Sequence, residues 1–512
     1  MSISFFEKKK FFNFDKYFIY LFLVFFISRI FYYKFFNITF DSWTIEIYWQ
    51  FFPIDLIKND LLNSLIFNHF QPPFLNLLVG LLMKISKNYI LMLNLIYLVI
   101  GYFSSIFIYL ICLKFNFSKK NSLLISSLLL ILPTTLLYEN HLYKEYLTFF
   151  FLTWLFYYSI KIVKGKNSFI NLINISISLS LLCLTREIFH IVWGYILIFI
   201  LQRNFEYKKK IILISIFTII VLPFYLKNFF LYNKFGINFS STFEHISQKI
   251  DYVKEMENPN RHKRIRELTF GSYENYENFK KRTSKLFDVP LATSAYDYVE
   301  ILNYKYIYKN KLTQSNTWFN EVWLEVDKIR KDDFILVLKE HPSLFLLNVI
   351  NSGTRHLFTS SDYFNFTKHN ADKMKSVIKI SDCIKLTPIC FYDYGFKQEE
   401  RSISGNTYMT VDTGPLSYKE KIIYSIQYTN FLFVIIYFFL FFYLIKGLLF
   451  RKDNNVIINF WIISFFLFLF IFIVFEDGEI ARHRFPIDYL AIIIFLSKIK
   501  HYFKNYKIIS YR

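Results

Sequence analysis

The sequence predicts an all-α polytopic membrane protein with about ten transmembrane helices, further interfacial helices and a small extracytoplasmic α-rich domain. Three observations predict this class. The chain of 512 residues is 54% hydrophobic and 22% aromatic. Several of its apolar runs reach or approach the length that crosses a bilayer. The basic residues lie in small groups between those runs, as cytoplasmic loops require. Because the net charge of +21 is divided among these groups, it argues against a nucleic-acid-binding surface.

Apolar runs define the predicted membrane spans. They cover about residues 17–36, 89–113, 121–138, 142–160, 168–184, 187–201, 211–230, 424–445, 457–475 and 485–499. The first run follows basic residues without a small-residue cleavage site, so we expect a retained helix rather than a signal peptide. The two shortest runs, 187–201 and 485–499, would each cover only about 22 Å as helices. We expect these two to thin the bilayer or to end at an aqueous cavity.

The run at 72–86 is too ambiguous to count as a span. If it crossed the membrane, the lysine groups that follow it, such as Lys119 and Lys120, would face the side with few positive charges. We therefore predict an interfacial helix that starts at Pro72 and Pro73, inside a long first outer loop at 37–88. With this assignment both chain termini are cytoplasmic.

Three regions follow from this topology. Residues 1–230 form an N-terminal membrane domain, residues 231–420 an extracytoplasmic loop domain, and residues 421–512 the C-terminal membrane helices with a cytoplasmic tail. The middle region is mixed in charge and too long for a bare connector. Cys112 and Cys183 lie in apolar runs and are predicted to be packing residues. Cys383 and Cys390 lie in the middle region, where a disulfide and free thiols are equally expected.

Polar residues collect at the outer ends of the predicted helices. Asp41 stands among aromatic residues a few positions after the first helix, where desolvation could raise its pKa toward that of a general base. The alternative for any one loop carboxylate is simple solvation. His69 and Gln71 precede the two prolines at the same level, either as part of a site or as turn residues.

Arginines also occur on this outer face, against the usual charge bias. Arg186 lies in a short turn between apolar runs, and Arg482 and Arg484 lie just before the last run. Arginine suits bidentate binding of phosphate, although an isolated one could merely snorkel to a lipid headgroup. Together with Glu139 and Glu145, these arginines indicate chemistry on a phosphate-bearing lipid whose head projects outward.

Six segments, in their order and sidedness, resemble the GT-C membrane glycosyltransferases, which include protein O-mannosyltransferases and lipid A aminoarabinose transferases. The segments are "TFDSW", "HFQPPFLNLL", "LPTTLLYEN", "LTREIFHIVW", "KNFFLYNKFG" and "GEIARHRFPID". The resemblance covers most of residues 17–245 and 420–499. The chain departs from the adjacent Asp-Glu pair of the O-mannosyltransferases, because Ser42 follows Asp41.

The resemblance implies inverting transfer of a sugar from a polyprenyl-phosphate-linked donor, on the extracytoplasmic face of a bacterial inner membrane. It leaves the sugar and the acceptor open. Asp41 is then expected to be the base, and a divalent metal is not required, although one could bind between Asp41 and another carboxylate. The substrate-binding residues would be His69, Gln71, Glu139 and Glu145. The phosphate-binding residues would be Arg186, Arg482 and Arg484, with Lys227 or His483 in addition.

Two other functions fit parts of the pattern. A transporter or flippase of a lipid-linked sugar would use similar arginines, but should have polar or broken helices at mid-membrane. The predicted spans are nearly free of charge there, which favours surface chemistry. A non-catalytic envelope assembly protein would work through its outer domain, and its Asp41 and arginines could be replaced without loss.

Overall fold

Helices make up the part of the chain that the structure describes. The computed structural model describes residues 16–47, 51–52, 54–66, 68–69, 71–165, 168–202, 205–232, 234–236, scattered positions in 331–350, and 368–388, 429–450, 456–475 and 480–510. Within these ranges there is no β-strand, and an isolated parallel bridge joins Asp41 and His141. Most of the predicted outer domain at 231–420 lies outside the described residues.

Twelve helices are described before residue 233. They are α1 Lys16–Phe35, α2 Thr44–Ile47, α3 Ile54–Asn59, α4 Leu61–Ile66, α5 Phe74–Ile85, α6 Tyr89–Lys114, α7 Lys119–Ile131, α8 Pro133–Glu139, α9 Lys144–Val163, α10 Phe169–Thr185, α11 Ile191–Leu201 and α12 Tyr207–Tyr232. Five more are described further along the chain. They are α13 Lys368–Lys373, α14 Lys375–Ile384, α15 Phe431–Phe450, α16 Val456–Phe475 and α17 Ile480–Ser510.

The predicted all-helical class is confirmed for the described residues. Among the described residues, α1, α6, α9, α12 and α16 are long and apolar enough to cross a bilayer, and α7 with α8 forms a sixth such unit if it is one bent span. A helix lies on each of the ten predicted runs, but the count of ten spans stays a prediction. Helix α11 has only 11 residues, or about 16 Å, whereas the run at 485–499 belongs to the 31-residue α17.

The helix predicted after the double proline is present. It is α5, whose N-cap is Pro73, and its 12 residues measure about 18 Å, which is too short to cross a bilayer. It packs against α3, α4 and α6. Its buried face includes Leu75, Val79 and Leu82, while Leu81 and Ile85 are exposed.

Helix α9 lies at the centre of the described membrane region. It packs against α6, α10 and α17, and most of its length is buried within the protein. Its first turn is therefore covered as well, so that Lys144 and Glu145 are buried although both are charged. This position brings the start of α9 next to the start of α17 and the turn after α10.

Helices α7 and α8 meet at a bend of 59°. Pro133 has no N–H, so it cannot bond the carbonyl of Leu129 as a helical residue would. The hydroxyl of Thr135 donates to that carbonyl instead, at 2.7 Å. The next two carbonyls, of Leu130 and Ile131, accept from Arg29 and from the hydroxyl of Tyr32, each at 3.2 Å. The break is stable in an apolar setting because side chains from α1 and α8 replace the lost helical bonds.

Helices α13 and α14 cover α8 and the start of the first outer loop. Met374 and Ile378 pack with Ile38, Leu136 and Leu137 in one apolar cluster. Further along, the side chain of Lys385 donates to Thr134 at 3.3 Å, which adds a polar link to α8.

The cysteines divide into two classes. Cys112 and Cys183 are free and buried, as predicted for packing residues. Cys383, at the end of α14, is disulfide-bonded. Cys390, the partner that the sequence suggests, lies outside the described residues.

Candidate functional site

The chain after α1 is held against the turn between α8 and α9. The N–H of Asp41 donates to the carbonyl of Asn140 at 2.8 Å, and the N–H of Leu142 donates to the carbonyl of Asp41 at 2.9 Å. This parallel bridge brings the Asp41 carboxylate to 3.9 Å from Nδ1 of His141. Asp41 keeps 13% of its side chain exposed, whereas that of His141 is covered. The carboxylate therefore lies at the rim of the site.

Burial governs the protonation of both side chains. It raises the pKa of Asp41 above its ordinary value. The N–H of Trp43 and the charges of His369 and Lys373 lower this pKa, but by less than burial raises it. Burial and then the positive charge of Arg482 lower the pKa of His141 to about 3. His141 is consequently neutral near pH 7, so its contact with Asp41 at 3.9 Å is not an ion pair.

Two arginines share one carboxylate oxygen beneath this rim. Nη1 of Arg186 donates to Oε1 of Glu145 at 3.0 Å, and Nη1 of Arg482 donates to the same oxygen at 3.1 Å. Arg482 also donates to the hydroxyl of Tyr143 and stacks over its ring, 4.8 Å from the centroid. His483 lies close by, with Nδ1 3.9 Å from Oε1 of Glu145. The sequence predictions for Arg186, Arg482, His483 and Glu145 thus converge on one place.

Within the described part of the chain, Arg186 and Glu145 each keep a polar atom without a hydrogen bond. Nη2 of Arg186 and Oε2 of Glu145 are buried without a hydrogen-bond partner among the described residues. One is a charged donor and the other a charged acceptor, and buried groups of both kinds are usually bonded. The cluster can therefore take up a group that offers both an acceptor and a donor.

A separate ion pair borders the cluster. Nζ of Lys144 donates to both oxygens of Glu187 at 2.7 and 2.9 Å, and to Oε1 of Gln71 at 3.4 Å. Burial alone would raise the pKa of Glu187, but Lys144 and Arg186 lower it below its ordinary value. Glu187 is therefore hydrogen-bonded to Lys144 and also lies within reach of the charge of Arg186. It keeps 21% of its side chain exposed and forms the other rim of the site.

The remaining predicted residues lie in other surroundings. Glu139 is fully buried and bonded by Arg29 and by the hydroxyl of Tyr146. Arg484 donates to Asp488 four residues later, at 2.9 Å.

Two more predicted residues meet around the end of α4. Lys227 donates to the main-chain carbonyls of Leu65, at 3.4 Å, and of Asn68. The neighbouring His69 is buried, with its ring 5.1 Å from that of Tyr232. Lys227, from α12, and His69 thus lie together beside the segment that precedes the two prolines. They are not part of the arginine cluster.

Sequence reasoning did not single out Arg29, Tyr143 or Asp488. Arg29 is a buried charge inside α1, an exception to the expectation that the spans carry almost none. The spacing of Arg484 and Asp488, four residues apart, would have predicted their pair. Nothing in the sequence around Arg29 indicates its partner 110 residues away.

No group of three or more His, Cys, Asp or Glu side chains suited to a metal occurs in the described ranges. No family model, curated protein or solved structure matches the chain.

Proposed function

We propose that this chain is an integral membrane glycosyltransferase. It moves a sugar from a polyprenyl-phosphate-linked donor to an acceptor on the extracytoplasmic face, with inversion at the anomeric carbon. One observation carries the proposal. Arg186 and Arg482 share a single oxygen of Glu145, while Nη2 of Arg186 and Oε2 of Glu145 have no hydrogen-bond partner among the described residues.

The charge balance of the cluster supports an anionic substrate. Among the described residues, two guanidinium groups contact the Glu145 carboxylate, and the nearby Lys144 is paired with Glu187. Two guanidinium groups in one buried place favour an anionic ligand, because the attraction between opposite charges is stronger in a buried setting than in water. A polyprenyl-phosphate sugar carries one negative charge on its phosphodiester. It also gains a second when the sugar departs, so the arginines would stabilise the transition state more than the bound donor.

The leftover atoms match the two halves of such a donor. Nη2 of Arg186 suits a phosphate oxygen, and Oε2 of Glu145 suits a sugar hydroxyl that donates a hydrogen bond. The donor would enter between Asp41 and Glu187, the partly exposed rim residues. His69 and Gln71 are kept in the proposal as residues that orient the substrate from the first outer loop, with Lys227 beside His69 and His483 beside Glu145.

Asp41 is proposed as the base. The acceptor oxygen or nitrogen attacks the anomeric carbon, the bond from that carbon to the phosphate oxygen breaks, and the acceptor proton passes to Asp41. A carboxylate whose pKa is raised by burial is a stronger base than an ordinary aspartate, provided it is ionised at the working pH. Glu139 and Arg484 contribute as structural ion pairs, since Arg29 and Asp488 engage their side chains.

A second function is supported by a different observation. The bend of 59° between α7 and α8 is a broken helix within an apolar region, and broken helices are typical of transporters. Movement of the lipid-linked sugar between leaflets, without transfer of the sugar, is therefore the alternative proposal.

The test is transfer of radiolabelled sugar in proteoliposomes that contain a pool of polyprenyl-phosphate sugars and a mixture of acceptors. Asp41→Asn should lower the rate about 10²- to 10⁴-fold. Asp60→Asn is the matched control, because it makes the same change in the same loop at a side chain that contacts only Asn63 in the described ranges. Arg186→Lys keeps the charge but loses the forked geometry, and should also lose most of the transfer.

Transfer at the wild-type rate by both Asp41→Asn and Arg186→Lys would refute the proposal. If the wild type transfers no sugar but carries the labelled donor across the bilayer, the transport function replaces it. Each variant is first checked for a single gel-filtration peak in detergent, so that loss of folding is not mistaken for loss of chemistry.

A further inference from the structure

Helix α13 reaches across the chain to the segment that carries Asp41. Nδ2 of Asn370 donates to the carbonyl of Thr39 at 2.8 Å, and the N–H of Thr39 donates back to Oδ1 of Asn370 at 3.2 Å. One side-chain amide thus engages both main-chain groups of a residue 331 positions away. Asn370 is 2% exposed, so these bonds are shielded from competing water.

The same segment is held at its other points. Lys373 donates to the carbonyl of Asn37 at 2.9 Å, and Asn37 has the left-handed φ of 50° that starts the exit from α1. Ile38 packs against Met374 and Ile378. Two residues beyond Thr39, the main chain of Asp41 is bonded to Asn140 and Leu142. The strip from 37 to 41 is therefore fixed by α13 on one side and by the α8–α9 turn on the other.

This arrangement makes α13 part of the proposed site. A base must be held within a few tenths of an ångström of its working position, because a misplacement of about 1 Å can lower a rate about 10²-fold. The amide of Asn370 acts on the main chain two residues before the carboxylate, and it touches neither substrate nor reacting atoms. Any effect of Asn370 on the reaction would therefore act through the position of Asp41.

We propose that Asn370 is the positioning residue for Asp41, so that the outer segment at 368–378 forms one wall of the reaction site. This inference rests on the proposed function. It differs from a purely stabilising contact in what it predicts: loss of Asn370 should change turnover and the reactivity of Asp41, and not only the melting temperature.

The kinetic test compares Asn370→Ala and Asn370→Asp with the control Lys375→Ala. Lys375 lies on the adjacent α14, is 75% exposed and pairs only with Asp372 in the described ranges. For Asn370→Ala, kcat for sugar transfer should fall about 10- to 100-fold while KM for the donor stays within about twofold. Asn370→Asp keeps an acceptor for the N–H of Thr39 and adds a negative charge near Asp41. The acid limb of its pH profile should therefore move to higher pH.

A second readout does not depend on catalysis. A water-soluble carbodiimide with a glycine amide labels accessible carboxyl groups, and mass spectrometry then gives the labelling rate of Asp41 relative to Asp60. Asn370→Ala should raise this ratio several-fold, because the segment that carries Asp41 is no longer fixed at Thr39. Lys375→Ala should leave the ratio unchanged.

The outcomes separate the two proposals. If the wild type transfers sugar and Asn370→Ala matches it in kcat and in Asp41 labelling, the positioning role is wrong. If the wild type transfers none but the labelling ratio still rises, the proposed function fails and the positioning of Asp41 by Asn370 stands. Should Asn370→Ala fail to fold, Asn370→Asp decides, and an unshifted pH profile with unchanged labelling overturns the inference.

Discussion

Arg29 and Glu139 form a two-fold hydrogen-bonded ion pair inside the membrane region. Nε of Arg29 lies 2.8 Å from Oε1 of Glu139 and Nη2 lies 2.6 Å from Oε2, and both side chains are buried. Tyr146 donates to Oε2 at 2.6 Å. Gly101 provides the space for this oxygen, because a Cβ at that position would lie 2.4 Å from it. The pair ties α1 to the end of α8, next to Asn140 and Asp41.

Removing one partner of this pair should destabilise the protein strongly. Arg29→Met leaves Glu139 as an unpaired buried charge, and we expect a loss of about 3–5 kcal/mol in the free energy of unfolding. The double variant Arg29→Met with Glu139→Gln should lose less than the two single changes added together. Denaturation in mixed micelles measures both. Glu206→Gln, at the exposed pair with Lys209, is the control and should change little. An additive double variant would contradict this prediction.

The hydroxyl of Thr135 should matter more than that of another buried threonine. Thr135 donates to the carbonyl that Pro133 leaves free and is also 2.6 Å from the hydroxyl of Tyr489. Thr135→Val should therefore cost about 1–3 kcal/mol of unfolding free energy, as a buried carbonyl loses its partner. Thr148→Val makes the same change where the hydroxyl donates only to Lys144 of its own helix, and should cost clearly less. Equal losses would show that the bond at the break is unimportant.

Acid should destabilise the protein through His141. Above pH 6.5 both the folded and the unfolded state hold this imidazole neutral. As pH falls from 6.5 toward 3, His141 binds a proton in the unfolded state but not in the folded state. The free energy of unfolding therefore decreases over this window. In His141→Gln, melting temperatures measured from pH 7.5 to pH 5 should fall less steeply than in the wild type. His501→Gln, at an exposed position, should follow the wild-type slope.

The pH dependence of sugar transfer should report on Asp41. The base must be ionised, so the rate falls as pH drops through its pKa, and burial places that limb above the ordinary value of 3.8. Lys373→Ala removes a positive charge that lowers this pKa and should move the limb to higher pH, less so at high salt. Lys373→Arg keeps the charge and should not move it. Identical profiles for all three proteins would exclude Asp41 as the titrating base.

Helix positions follow from the sequence because apolar runs are long and basic residues separate them. Helices lie on all ten runs, and α5 begins where Pro72 and Pro73 predict a start. The break between α7 and α8 was missed, since apolar residues on both sides of Pro133 suggested one continuous helix over 121–138. The proline itself was the available signal.

The composition of the site could be predicted only in part. The sequence singles out Arg186, Arg482 and Glu145 because each lies at a predicted outer end of a helix. That both arginines bond one oxygen of Glu145 depends on how α9, α17 and the turn after α10 pack. Asn370 could not be found in the same way. It lies in a polar segment without apolar periodicity, and its partner is a main-chain group that carries no sequence signal.

The contacts of Asp41 also set an order for biosynthesis. Its main chain is bonded to residues 140 and 142, and the segment before it to Asn370. At translation rates of about 5–20 residues per second, the first of these partners leaves the ribosome several seconds after Asp41, and the last after tens of seconds. During that interval the segment from 37 to 41 lacks its partners. The carboxylate therefore reaches its final position only late in synthesis, and under the proposed function a half-made chain would lack a positioned base.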